Sequence, residues 1–314
     1  MSLINEALYR RIIEKKKRLD GLRPLPPMLV KKLREQLEIE YTYHSNALEG
    51  NTLTLRETQL VIEEGITISG KSLREILEAR NHPEAIEFVV GLVDSKSEIT
   101  EETVLHLHRL IMANIDEKAG LFRSTGVRIT RATSIPPPSS EVKPQVNELL
   151  KWLRDNPDEY RPIEIAAIFH HRFVQIHPFT EGNGRTARLL MNAILMRNGY
   201  PFITVVSKND RPRYLRALSE ADLGNITVFV NFIARCVESS LDLYLNALEE
   251  PEALTLAEAS EITPYSQEYL SLLARRGAIA AFKQGRVWMI TKKELERYLQ
   301  NHRRSNRAEG TDLL

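Results

Sequence analysis

The chain is poor in cysteine. Cys236 is the single one among 314 residues, which excludes an internal disulfide framework and any metal site built from a cysteine cluster. Its surroundings, FIARCVESSL, read as a helix, so Cys236 is expected to be a packed core thiol. Long apolar runs are missing too. No stretch approaches eighteen continuous apolar residues, so no membrane-spanning helix and no membrane partner is expected. The early segment LYRRIIEKKKRLD is charged throughout and does not read as a secretory leader. With a lone thiol, a reducing, cytoplasmic compartment is the simplest expectation. An excess of one charge is also absent. The 43 Lys and Arg against 42 Asp and Glu leave a net of +1, so the whole-chain balance implies no nucleic-acid or membrane surface. What is present, 42% hydrophobic and 27% charged residues, describes an ordinary globular chain with room for one large domain or two.

The apolar periodicity is helical along most of the length. Residues 3–19 form a charged amphipathic stretch, broken by RPLPP at 23–27. In the next helix Leu33, Leu37 and Tyr41 recur every four residues, and Gly50-Asn51 can close it in the left-handed conformation. Further helices are expected over 55–64, 71–94, 100–114, 141–154, 162–175, 210–223 and 227–248. Thr100, with Glu101 and Glu102 behind it, is a good N-cap. His106 and His108 in VLHLHRLIM are two apart and point to different helix faces, which argues against a shared metal site. Residues 120–138 change character. Val127, Ile129 and Thr133 near Gly126 predict a short hairpin, closed by three prolines.

One twelve-residue stretch, HPFTEGNGRTAR at 177–188, concentrates the chemistry. Gly182, Asn183 and Gly184 can turn sharply and present bare backbone N–H groups. A helix follows at once through Thr186, Ala187 and Arg188 into Leu189, Leu190, Ala193, Ile194 and Leu195. A glycine turn feeding a helix N-terminus is an anion site. Arg185 and Arg188 share a helix face and suit a polyphosphate. Glu181 can offer a hard oxygen to Mg²⁺ carried by a nucleotide. His177, just before Pro178, is a candidate general base. His170 and His171, directly upstream, read as packing groups. The residues alone lead to a Mg²⁺-polyphosphate site with a nearby base.

HPFTEGNGRTAR also resembles the Fic-domain signature HPFx[D/E]GNGRxxR, with every specified position filled. IAAIFHHRFVQIHPF before it and LLMNAILMRNGYP after it are similar to Fic helices. The resemblance implies a mainly α fold, a Fic helical core with a small β-hairpin flap. It implies transfer of AMP from ATP, with Mg²⁺, to a Ser, Thr or Tyr hydroxyl of a target protein, the chain itself included. Carried over residue by residue, His177 deprotonates the hydroxyl and Glu181 holds Mg²⁺. Gly182, Asn183, Gly184, Arg185 and Thr186 hold the phosphates, Arg188 places the γ-phosphate, and Tyr214 helps bound the adenine. SNALEG at 45–50 resembles the family's inhibitory motif, [S/T]xxxE[G/N], filled by Ser45, Glu49 and Gly50. That implies the class with an N-terminal inhibitory helix, in which Glu49 pairs with Arg188. The segment beginning GLFR resembles the flap that holds a target peptide.

Pro251 marks a boundary. Residues 254–300 read as two short helices, a strand, a turn at Gln284-Gly285, the strand RVWMIT and a last helix. The order suggests a winged helix-turn-helix, similar to excisionase-type or MerR-like DNA-binding modules. Residues 252–304 hold nine Lys and Arg against six Asp and Glu, a net of +3, a thin footprint for DNA. DNA binding through 254–300 stands against a protein-docking or dimerising role, and a homodimer is left open. The expected map is an N-terminal helical region at 1–95 with the motif at 45–50, a Fic core at 96–250, a winged-helix module at 251–302 and a polar, disordered tail at 303–314. Rival functions are transfer of another nucleotide or a phosphocholine group, removal of AMP with Glu49 positioning water, and a nucleotide-sensing DNA-binding regulator.

Overall fold

Several helices begin where a Ser or Thr can cap them. The side chains of Thr54, Ser72 and Thr100 each accept a hydrogen bond from the backbone N–H three residues on, and their own backbone N–H groups donate to that residue's side chain, which satisfies two N–H groups a helix start leaves bare. Pro162 opens another helix at its first turn, where its missing N–H is no loss. A computed structural model describes residues 2–23, 25, 27–127, 135–155, 159–249, 253–279, 281–284, 287–292 and 294–299. Its first ten helices are α1 (Glu6–Gly21), α2 (Pro27–Leu48), α3 (Leu55–Glu63), α4 (Leu73–Asp94), α5 (Glu101–Met112), α6 (Ser139–Asp155), α7 (Pro162–Ile176), α8 (Asn183–Arg197), α9 (Ser207–Asp222) and α10 (Ile226–Glu249). None is long and apolar enough to cross a membrane, among the described residues.

The chain divides into two compact units, Met1–Tyr244 and Leu245–Leu314. Residues 1–95 and the 177–188 stretch therefore lie in the same unit, built around α7 and α8. Most residues of both helices are buried, the polar Arg185, Arg188 and Asn192 of α8 included, so each must be covered on nearly every side. They pack against one another. α4 and α5 cover α8, α6 covers α7, and α2 lies against α3, α4 and α9. This brings the end of α2 and the start of α4 to the start of α8. Behind the site, Asn192 pins the segment before α9 to α8: its Nδ2 donates to Ile203 O at 3.0 Å and its Oδ1 accepts from Ile203 N at 2.8 Å. Cys236 is a buried, free thiol.

The second unit is a small helix-turn-helix with a three-stranded antiparallel sheet. Strands β1 (Ala253–Thr255), β2 (Ala281–Gln284) and β3 (Val287–Thr291) lie in the order β1-β3-β2, with Leu254 opposite Ile290 and Phe282 opposite Met289. Helices α11 (Leu256–Glu261) and α12 (Gln267–Arg275) connect β1 to β2. Leu256, Ala259, Leu270, Leu273, Ile279, Ile290, Leu295 and Tyr298 form its core. The sequence reading has two strands here; β1 is the addition, and three residues are too few to show a period of two. The chain is again helical at 294–299. The expected hairpin at Ile129 and Thr133, the glycine of the Gln284-Gly285 turn and the tail at 303–314 lie outside the described residues.

Asn192 is fully buried and serves both backbone groups of Ile203. Asn192→Ala is expected to lower stability by about 2 kcal/mol, because two buried polar groups lose their partner. The check is a fall in the urea midpoint with the slope unchanged.

Candidate active site

The turn between α7 and α8 holds two left-handed residues, His177 (φ 50°, ψ 60°) and Gly182 (φ 76°, ψ 0°). Glycine takes this conformation freely and histidine does so at a cost. The His177 backbone is held by Arg123, a buried residue. Arg123 Nε donates to His177 O at 2.8 Å and its Nη2 to Ile176 O at 3.4 Å. Nη2 also donates to Pro137 O at 2.6 Å, Nη1 donates to Thr125 O at 3.0 Å, and the backbone N–H donates to Pro178 O at 2.9 Å. One guanidinium thus satisfies the carbonyls a helix end leaves bare.

Asn183 closes the turn from inside. Its Nδ2 donates to Phe179 O at 2.8 Å and its Oδ1 accepts from Phe179 N at 2.9 Å. Thr186 Oγ1 donates to Gly182 O at 2.9 Å. Beneath lies His108, whose ring stacks on Phe179 with centroids 3.6 Å apart. Its Nδ1 accepts from Gly120 N at 2.9 Å, so the proton sits on Nε2, which donates to Glu181 O at 3.0 Å. Burial pushes the His108 imidazole down to about 4, so it stays neutral.

The open side of the turn is a cavity of about 410 Å³ lined by Glu49, Arg74, Glu78, His177, Glu181 and Arg185 among others. Each charged residue of the 177–188 stretch other than His177 meets a counter-charge from α4 or the end of α2. Arg188 Nη2 donates to Glu49 Oε1 at 2.7 Å, while Nε donates to Ser45 Oγ at 3.0 Å and Nη2 to Ser45 O at 2.9 Å. The Glu49 carboxylate lies directly over Gly184, where any Cβ would run into its Oε1. It leaves the unfavourable C-terminal end of α2 for the favourable N-terminal end of α8. Burial pushes the Glu49 carboxyl up, Arg188 pulls it down further, and it ends below its ordinary value. Arg185 Nη1 lies 3.2 Å from Glu78 Oε1 and Nη2 donates to Met112 Sδ at 3.3 Å. Its Nε and Nη1 make no hydrogen bond to the described residues. Glu181 is ion-paired with Arg74, and Arg74 Nε also lies 3.4 Å from Glu78 Oε1.

His177 Nδ1 lies 3.3 Å from Val174 O. A carbonyl only accepts, so Nδ1 carries the proton and Nε2 keeps its lone pair. Burial lowers the basicity of His177, and Arg123 adds to that against the bond to Val174 and the charge of Glu49. The ring is therefore a neutral base at neutral pH. Tyr214 is the residue that the family resemblance sets at the adenine. It is buried behind Arg188, with its hydroxyl 2.9 Å from His170 Nε2 and accepting from Arg188 Nη1 at 3.5 Å, and it does not line the cavity. No group of three or more His, Cys, Asp and Glu is placed to hold a metal among the described residues. Of the carboxylates lining the cavity, Glu49 is held by Arg188, Glu78 by Asn51 and Glu75 by Thr52; Glu181, next to the turn, is the one placed to suit Mg²⁺, an ion that keeps waters and takes its other oxygens from phosphates.

Residues 98–195 match the Fic/DOC family, and residues 253–303 match a helix-turn-helix domain. A Fic-domain signalling protein from Bacteroides thetaiotaomicron is 32% identical, with a TM-score of 0.71 over 76% of this chain and 97% of that one. The chain belongs to the Fic/DOC family. A Fic family protein from Desulfovibrio desulfuricans is 25% identical with a TM-score of 0.65 and covers 92% of this chain and 97% of its own. A protein adenylyltransferase Fic from Nematostella vectensis is 38% identical over 245 residues, 77% of this chain and 56% of that protein. The chain spans about half the length of the curated relatives it matches.

Within this Fic site, sequence reasoning passed over Arg74, Glu78, His108 and Arg123. Arg123 had a signal in the GLFR start. His108 was weighed only as a metal ligand. Arg74 and Glu78 had none, because their partners stand 107 residues away in the chain.

His108 sets an acid limit on stability. The unfolded imidazole takes a proton near 6.5, the folded one only near about 4. Its contribution is present above 6.5 and is lost as pH falls toward about 4. The urea midpoint of the wild type is expected to fall over this window, and His108→Gln to flatten the decline.

Proposed function

We propose that the chain is a protein adenylyltransferase of the Fic type, moving AMP from ATP to a hydroxyl of a target protein, with Glu49 as its restraint. The observation that supports it most is the Glu49 carboxylate itself. It occupies the α8 N-terminus and Arg188, in the same cavity as His177 and Glu181, so an anion already rests where a polyphosphate would bind. Displacing it gives the γ-phosphate Arg188 and gives the inner phosphates the N–H groups of residues 182–184 together with Arg185. Arg185 Nε, without a hydrogen-bond partner, is the donor available, while Nη1 faces Glu78 at 3.2 Å.

The target hydroxyl then loses its proton to His177 Nε2 as its oxygen attacks the α-phosphorus. The bond from that phosphorus to the bridging oxygen breaks and pyrophosphate leaves. Mg²⁺, held by Glu181 when bound, supplies charge stabilisation to the phosphates. While Glu49 lies on Arg188 the γ-phosphate is displaced, the α-phosphate is out of line, and rate falls even where affinity survives. Tyr214 acts through Arg188, which it backs, and Asn183 and Thr186 act through the shape of the turn.

Label transfer from α-³²P-ATP with Mg²⁺ tests this. Glu49→Gly is expected to label protein at least roughly tenfold faster than wild type, since a misplaced phosphate is set right. The Glu49→Gly/His177→Ala double variant is expected to bind nucleotide without labelling. Absence of label in all three proteins despite bound nucleotide sinks the reading.

For the second unit we propose duplex DNA as the partner of residues 254–300. The helix-turn-helix match at 253–303 supports it, as does exposed Arg275 at the end of α12. With a net of only +3 over 252–304, binding should have a shallow salt dependence. A mobility shift of the full chain on duplex DNA, lost in Arg275→Glu/Arg276→Glu, is expected; an unchanged shift in that variant removes this role from α12.

A further inference from the structure

The ion pair between Arg74 and Glu181 places a cation on the carboxylate that faces the phosphate site. Arg74 is at the start of α4, outside the signature. Both side chains are about half exposed, 51% and 46%, so nothing in the packing locks them together. Arg74 also has a second seat. Its Nε lies 3.4 Å from Glu78 Oε1, and that same oxygen lies 3.2 Å from Arg185 Nη1. Glu78 is itself buried and takes a further hydrogen bond on its other oxygen from Asn51 Nδ2 at 2.9 Å. The charges thus run in a chain, Glu181, Arg74, Glu78, Arg185, with Arg74 bridging the two carboxylates, by Nη2 to Glu181 and by the longer Nε bond to Glu78.

We infer that Arg74 is a built-in competitor of the divalent cation at Glu181, a positioning residue that lowers metal affinity until the ion displaces it onto Glu78. The inference rests on the reading of Glu181 as the metal carboxylate. A guanidinium and Mg²⁺ cannot share one monodentate carboxylate without repulsion, so the ion must drive Arg74 off. Leaning onto Glu78, Arg74 shares the oxygen that faces Arg185. That loosens the hold of Glu78 on Arg185, whose Nε and Nη1 are the buried donors without hydrogen bonds. Arrival of the cation at one end of the chain therefore favours release of a phosphate-binding arginine at the other. Glu49 on Arg188 is a distinct restraint, since no hydrogen bond or ion pair joins Arg74 to Glu49 among the described residues, although the Glu49 charge also bears on Arg185.

The test is Mn²⁺ binding to the full chain without nucleotide, with free ion counted by electron paramagnetic resonance up to millimolar concentrations. Wild type, Arg74→Ala, Arg74→Lys and Glu181→Ala are compared. Arg74→Ala is expected to bind Mn²⁺ roughly two- to fivefold more tightly than wild type, the range open to one exposed ion pair. Arg74→Lys, which keeps the positive charge, is expected to stay near wild type. Glu181→Ala is expected to lose the site. An Arg74→Ala affinity equal to or weaker than wild type overturns the inference, as does a chain in which no variant binds the ion. Because the readout needs no transfer, a failure of AMP labelling leaves a positive result here intact, and a flat Mn²⁺ series leaves the transfer reading untouched.

Discussion

A guanidinium that is almost wholly buried needs a counter-charge, and Arg188 is such a group. Its side chain is 2% exposed, and a buried cation left unpaired is strongly destabilising. Ser45 supplies two neutral acceptors and Glu49 the negative charge. Burial lowers the Arg188 pKa, but Glu49 together with Tyr214 and Tyr41 outweighs it and holds the group above its ordinary value. The geometry around it follows from this demand. α2 must end beside the start of α8, Gly184 must lack a side chain, and Tyr214 and His170 must close the space behind.

The rest of the turn is rigid for a different reason. Its bonds go to backbone groups and, Arg123 apart, are neutral: Asn183 to Phe179, Thr186 to Gly182, His108 to Glu181 O, and the Arg123 guanidinium to the end of α7. These groups spend their hydrogen-bonding capacity on one another and leave the N–H groups of the α8 start facing the cavity. A scaffold of this kind orients an anion site without supplying charge to it. Charge comes from Arg185 and Arg188, and each is engaged by a carboxylate from elsewhere. Shape and electrostatics are thus assigned to different residues of the same twelve.

The helices were legible because their signals are local. The cap at Thr100 and apolar stripes such as Leu33, Leu37 and Tyr41 show in any short window. The site was legible to the extent that it is contiguous, from His177 to Arg188. Glu49 was reachable only through the resemblance of SNALEG to a family motif, since a carboxylate at a helix end otherwise reads as solvated. Arg74 and Glu78 were not legible at all. They lie in an ordinary charged helix, KSLREILEAR, and acquire a role only when α4 packs on α8. Tyr214 was reachable only as a position carried over from a family pattern, and it lies buried behind Arg188 with its hydroxyl on His170.

The two partners of the Glu49–Arg188 pair are not equivalent. Glu49 is 39% exposed while Arg188 is enclosed, so the glutamate can leave for water at modest cost and the arginine cannot. Its solvent-facing side also screens the pair, which keeps the attraction within the range of an exposed one. What opposes departure is mostly the vacancy left at Arg188, and an incoming phosphate fills that vacancy. Such a restraint resists spontaneous opening yet yields to a ligand carrying the right charge at the right place. A contact elsewhere on α2 that shifted its last turn would act on the same balance, because Ser45, whose carbonyl accepts from Arg188, and Glu49 ride on one helix end.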